Sequence, residues 1–195
     1  MDLPVPPGFV LTTDACNRFS EHGWFPELER SIELGTADLE RATGRSLGSG
    51  SMPLLVSVRS GAPRSMPGMM DTVLNIGLND AVAAGLVRLT GDERFVYDAY
   101  RRLVQMYGRV VLGVPDEPFE QVLAGHRKRH GVANDADLPA ADPKSITGEF
   151  KRVVAAHAQH PFPEEPIEQL RLATMAVFKS WNGKRAFDYR KAAGI

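Results

Sequence analysis

Apolar and polar positions change their spacing several times along the chain, and each change marks an element. LPVPPGFVLTT opens as a proline-stiffened entry into a short apolar strand at 9–11, after which Thr12 or Thr13 caps a predicted helix from Asp14 to about His22. Leu28, Ile32, Leu39 and Ala42 form an imperfect apolar stripe and predict a second helix over Pro26–Thr43. GRSLGSGSM then reads as an exposed loop, and PLLVSV, short and bounded by turn residues, as a buried strand. TVLNIGL alternates, which predicts a second strand with Thr72, Leu74, Ile76 and Leu78 on one face.

From Asn79 onward the period is helical. Asn79 or Asp80 caps AVAAGLVRL, and the next long segment sets Phe95, Ala99, Leu103, Tyr107 and Val110 at helical spacing. Further helices are predicted over Glu117–His130, Ser145–His157, Glu165–Trp181 and Lys184–Ala192, with proline-bearing breaks at 115–118, 139–143 and 161–166. The pattern predicts an α+β, predominantly helical fold. Its sheet-bearing part covers 1–78 and 164–195, and an inserted all-helical lobe covers 79–163. The two parts make a cleft, with the connection 57–71 at its hinge.

Composition narrows the functions available. With 195 residues the chain can bury a real core, as one domain or two small ones. Lys and Arg number 23 against 24 Asp and Glu, so no global field draws it to nucleic acid or an anionic membrane, and any anion site is local. No apolar run approaches the roughly 18 to 20 residues a membrane span needs. The N-terminus shows no basic stretch leading into an apolar one, and the expected compartment is the cytoplasm. Cys16 is the single cysteine, so an internal disulfide is excluded; beside Phe19 it reads as a small buried hydrophobe.

The unusual chemistry lies in SVRSGAPRSMPGMMDT. Ser57, Ser60, Gly61, Ser65 and Gly68 lack bulk, so backbone N–H groups there can approach an anion, and Arg59 and Arg64 add planar forks suited to phosphate oxygens. A Gly/Pro turn whose arginines pair with surface carboxylates fits the composition equally well, because neither GxxxxGK[ST] nor GxGxxG is present. Met66, Met69 and Met70 suit either packing on an adenine ring or plugging a gap between lobes. Asp71 and Thr72 suit either orienting a ligand or satisfying the loop's own backbone. HRKRH sets His126 and His130 at a spacing that can hold zinc, but without a third ligand in register it reads as a solvated basic helix end. His157 and His160 fit a helix terminus.

LLVSVRSGAPRSMPGMMDTVLNIGLND closely resembles the nucleotide-binding domain of the pyruvate, phosphate dikinase family. DLPVPPGF, ERFVYDAYRRLVQMYGRVVLGV, PFPEEPIEQL and AVFKSWNGKRAFDYRKAAGI agree with that family in order and spacing, so the resemblance covers essentially the whole chain. Related phosphoenolpyruvate synthases and glucan-phosphorylating dikinases share a VRSSA-like segment but lack SMPGMMDT. The resemblance implies part of an ATP-grasp-like domain that passes a phosphoryl group from ATP to a phosphohistidine on a swivelling central domain. The family enzyme interconverts ATP, phosphate and pyruvate with AMP, diphosphate and phosphoenolpyruvate. The ligands implied are ATP or AMP, phosphate and Mg2+; the partners implied are the phosphohistidine and pyruvate-binding domains.

By the same resemblance the nucleotide- and phosphate-binding residues are Arg59, Ser60, Gly61, Met69, Asp71 and Thr72, with Arg102 reaching the cleft from the long helix. Arg101 and Arg102 point about 100° apart, so only one of them can face it. The family's phosphate-holding lysine is expected upstream of this chain and its magnesium-holding carboxylates downstream. Magnesium ligands are thus expected to be missing, the isolated chain to be inactive, and open strand edges to favour self-association. Lys184 stands where the family usually has proline, and GSGS looks like a permissive linker. A second reading is a non-catalytic truncated paralogue, or an interaction module with a vestigial phosphate loop.

Overall fold

A computed structural model describes residues 5–61 and 71–193. In chain order these form α1 (Thr13–His22), α2 (Pro26–Thr43), β1 (Ser46–Leu47), β2 (Pro53–Leu54), β3 (Val56–Arg59), β4 (Thr72–Ile76), α3 (Asp80–Thr90), α4 (Glu93–Val110), α5 (Glu117–His130), a 3-10 turn (Asp135–Asp137), α6 (Asp142–His157), α7 (Pro166–Trp181) and α8 (Lys184–Ala193). The fold is mostly helical, as the periodicity predicts, and the described residues form two small sheets where one was expected. Among the described residues, no helix is long and apolar enough to cross a membrane.

Helix boundaries follow local chemistry. Thr12, Asn79 and Asp92 cap α1, α3 and α4, each side-chain oxygen accepting a backbone N–H of the first turn. Proline occupies the first turn of α2, α5, α6 and α7, where its missing N–H costs nothing. Gly44, Gly91 and Gly131 close α2, α3 and α5 in the left-handed conformation.

Three expectations are corrected. Residues 9–11 form no strand: Val10 is 86% exposed, and the ring of Phe9 lies over Gly35 of α2, where an added Cβ would come within 2.6 Å of it. The segment after α2 is not simply a loop, since β1 pairs in parallel with β2. In β4 the buried residues are Val73 and Ile76, whereas Leu74 is 37% exposed. Asn75 at φ 58 and Gly77 at φ 106 break the period of two and turn the chain over, so positions three apart share a face.

On α4 the buried stripe is Val96, Tyr100, Leu103, Val104 and Tyr107, with Phe95 63% exposed, because the helix packs against α3, α6 and β4 together rather than one partner. The apolar core is one cluster from Phe19 of α1 through Val73 and Ile76 to Phe150 of α6 and Phe178 of α7.

Two polar junctions tie distant segments to this core. Gln169, fully buried on α7, accepts the Gly77 N–H at 2.9 Å and donates to the Leu78 and Pro163 carbonyls at 2.9 and 2.8 Å. The Tyr107 hydroxyl donates to the Gln169 carbonyl, and burial pushes that phenol well above the ordinary tyrosine range. Lys151 of α6 meets Asp80 and Glu164, each at 2.6 Å, over the ring of Tyr100. Burial, helped by the charges of Glu164 and Asp80, raises Tyr100 in the same way.

Candidate phosphate site

β3 and β4 form an antiparallel pair, with Arg59 opposite Thr72 and Val58 opposite Val73. Alternation along β3 turns Val56 and Val58 toward the core and leaves Ser57 and Arg59 exposed. Arg59 has no ion pair among the described residues. Ser60 is half-buried and Gly61 exposed, with open space where a Cβ would stand. Gly61 therefore leaves its peptide open to approach. The strand pairing delivers Asp71 and Thr72 beside Arg59; Met69, with Arg64 and the other loop methionines, lies outside the described residues.

Asp71 is anchored at the far side. Its N–H donates to Ser180 Oγ at 3.5 Å, at the end of α7, and its carboxylate meets Arg185 of α8 at 3.4 Å. Asp71, Lys179 and Ser180 give the polar side of a cavity of about 290 Å³ whose apolar wall includes Val110, Leu172 and Met175. Nothing local in the sequence announces these partners, since Asp71 and Ser180 are 109 positions apart.

The two arginines of α4 are treated differently by the fold. Arg101 is buried, with Nε and Nη2 on Asp98 Oδ1 at 2.8 and 2.7 Å and Asp135 Oδ2 at 3.6 Å. Arg102 has a side chain 67% exposed and gives only its Nε, at 2.8 Å, to Asp98 Oδ2. Of the pair, Arg102 is the one available to a ligand.

His126 overturns the reading of HRKRH as a solvated helix end. It is 1% exposed, with Nδ1 2.6 Å from Asp142 and Nε2 3.1 Å from Glu149, so it clamps α5 to α6 from within. His130 shares Asp142 at 3.1 Å. The two carboxylates come from 16 and 23 positions downstream, beyond any motif window. Among the described residues no group of three or more His, Cys, Asp or Glu side chains is disposed to hold a metal ion.

Comparison with known proteins bears directly on this hairpin. The family model described as pyruvate phosphate dikinase, AMP/ATP-binding domain, matches residues 24–195. The chain belongs to that family. Pyruvate, phosphate dikinase of Entamoeba histolytica is 46% identical over 97% of this chain and 22% of its own length. The corresponding figures are 48%, 96% and 21% for pyruvate, phosphate dikinase 2 of Zea mays, and 46%, 100% and 22% for the Rhizobium meliloti enzyme. The chain thus spans about a fifth of the length of the curated relatives it matches. Arg59, Ser60, Gly61, Asp71, Thr72 and Arg102 all fall inside the pyruvate phosphate dikinase match. Asp98, which holds Arg102, and Ser180 and Arg185, which hold Asp71, were missed from the sequence; only Asp98 had a local signal, its i+3 and i+4 spacing to the arginines.

Proposed function

We propose that this chain is the ATP- and phosphate-binding portion of a pyruvate, phosphate dikinase. In this reading its fold is part of an ATP-grasp-like domain, with 79–163 as an inserted helical subdomain, working in the cytoplasm beside a phosphohistidine domain and a pyruvate-binding domain. The observation that carries the proposal is Arg59: a permanent cation on an exposed strand face, unpaired among the described residues, beside the small residues Ser60 and Gly61. Such an arrangement suits the spread negative charge of a polyphosphate. Arg102 is the second cation, with Thr72 and Asp71 lining the approach.

Mg2+ accompanies ATP in the full enzyme on this reading. The described residues do not fit that ion, because Asp71, which lies beside Arg59, faces Arg185 and no group of three or more His, Cys, Asp or Glu among them is disposed to hold it. No step is therefore routed through a metal here.

The test is thermal unfolding of the chain with ATP, with and without magnesium. Ligand at a hundredfold its Kd adds about 2.7 kcal/mol of stability. A rise in Tm independent of magnesium and lost in Arg59→Ala is expected. An unmoved Tm at millimolar ATP in the unmodified chain would refute the reading.

A further inference from the structure

Arginine is a costly residue to leave free beside a ligand. Its long side chain carries large rotamer entropy, and immobilising it on binding takes that entropy from affinity. Arg102 avoids that cost only if something holds it beforehand, and Asp98 is placed to do so. Its Oδ2 accepts the Arg102 Nε at 2.8 Å, a contact that fixes the guanidinium plane while leaving both Nη groups without a bond to any described residue. Its Oδ1 is taken by the buried Arg101, whose second carboxylate is Asp135. The Asp98 carboxylate is itself only 30% exposed, and its acid-before-base order along α4 is the favourable one on a helix.

Asp98 therefore splits its two oxygens between a cation that braces the helix from within and a cation that faces outward. Asp98 thus ties Arg102 to the braced Arg101, so the outward guanidinium loses mobility while its Nη groups stay open. We propose that Asp98 is a positioning residue for nucleotide phosphates, acting through Arg102. This rests on the nucleotide-binding reading above and adds to it the residue that presets one of its cations.

Asp98→Asn separates the two duties. Asparagine keeps one acceptor oxygen, and the buried Arg101, with no water to fall back on, has first claim on it, so Arg102 loses its hold. Titration calorimetry with ATP on the full chain should show Asp98→Asn binding about three- to tenfold more weakly. Arg102→Ala should bind at least as weakly, and Asp98→Asn should add nothing in the Arg102→Ala background, since the effect runs through that side chain. An equal loss in both backgrounds, or ATP binding that Arg102→Ala weakens and Asp98→Asn leaves alone, overturns the inference while the nucleotide reading stands. An unmodified chain that does not bind ATP removes both. Should Asp98→Asn fail to fold, arginine side-chain nitrogen resonances of the unmodified chain decide: Arg102 Nε should be sharp before ATP is added and stay in place while its Nη groups respond. An Nε signal broadened by exchange in the free chain would show that Asp98 does not hold it.

Discussion

Gln169 carries more of the fold than any charge on the surface. It satisfies three backbone groups, those of the buried Gly77 and Leu78 and that of the half-buried Pro163. Leucine there keeps the volume and orphans all three, and each orphaned buried group costs about 1–3 kcal/mol. Gln169→Leu is expected to lose about 3 kcal/mol or more in urea unfolding; a loss below roughly 1 kcal/mol would mean the junction relaxes and its bonds are replaceable. Residues of this kind were illegible beforehand. Gln169 sits in PIEQL as an ordinary helix polar position, and its partners at 77 and 78 lie 92 and 91 positions away. His126 failed for the same reason: its neighbours in HRKRH are basic, and the carboxylates that bury it come from another helix. The connection 57–71 begins later than its composition suggests, because β3 runs on through Ser57 to Arg59 once β4 is there to pair with it.

Elements were read best where the stop and start signals are chemical. Pro26–Thr43 and Glu117–His130 match the expected spans because a proline opens each and a glycine closes it. Faces were read less well, since a face depends on what packs against it. Position 75 shows this: a strand pattern cannot reveal a left-handed residue that shifts the register midway and swaps the faces beyond it. One packing contact has a sharp consequence at this scale. A Cβ at Gly85 of α3 would lie 1.8 Å from the Gly50 carbonyl oxygen, a backbone atom that cannot swing aside. A Cβ at Gly108 of α4 would meet the tip of the Phe119 ring at 2.8 Å, a side chain able to shift. Gly85→Ala is expected to cost about 3 kcal/mol and Gly108→Ala about 1 kcal/mol. Chemical denaturation of both variants checks the order, and equal losses would show that the loop at 48–50 yields as readily as a ring.

At the scale of the whole molecule the question is what this length of chain accomplishes alone. Phosphoryl transfer requires neutralisation of the transferring group by a cation held between the phosphates, and among the described residues Asp71 is engaged by Arg185 and no group of carboxylates is disposed to hold such an ion. The chain is therefore expected to hold nucleotide without transferring phosphate. Incubation with labelled ATP, magnesium and the separately expressed histidine domain of a relative should leave that domain without acid-labile label. Label above the no-protein control that vanishes in Arg59→Ala would show the residues present to be sufficient. The family was legible from motifs, whereas the way α7 and α8 close on Asp71 is a product of folding over long chain distances. The junction of Lys151, Asp80 and Glu164 gives those distances a temporal meaning. Asp80 and Glu164 stand 84 positions apart and meet directly, the Asp80 N–H on the Glu164 carboxylate. That contact forms only after the intervening loop has closed and its entropy has been surrendered. Contacts of such long range slow folding, so this junction is expected among the late steps of the chain's assembly.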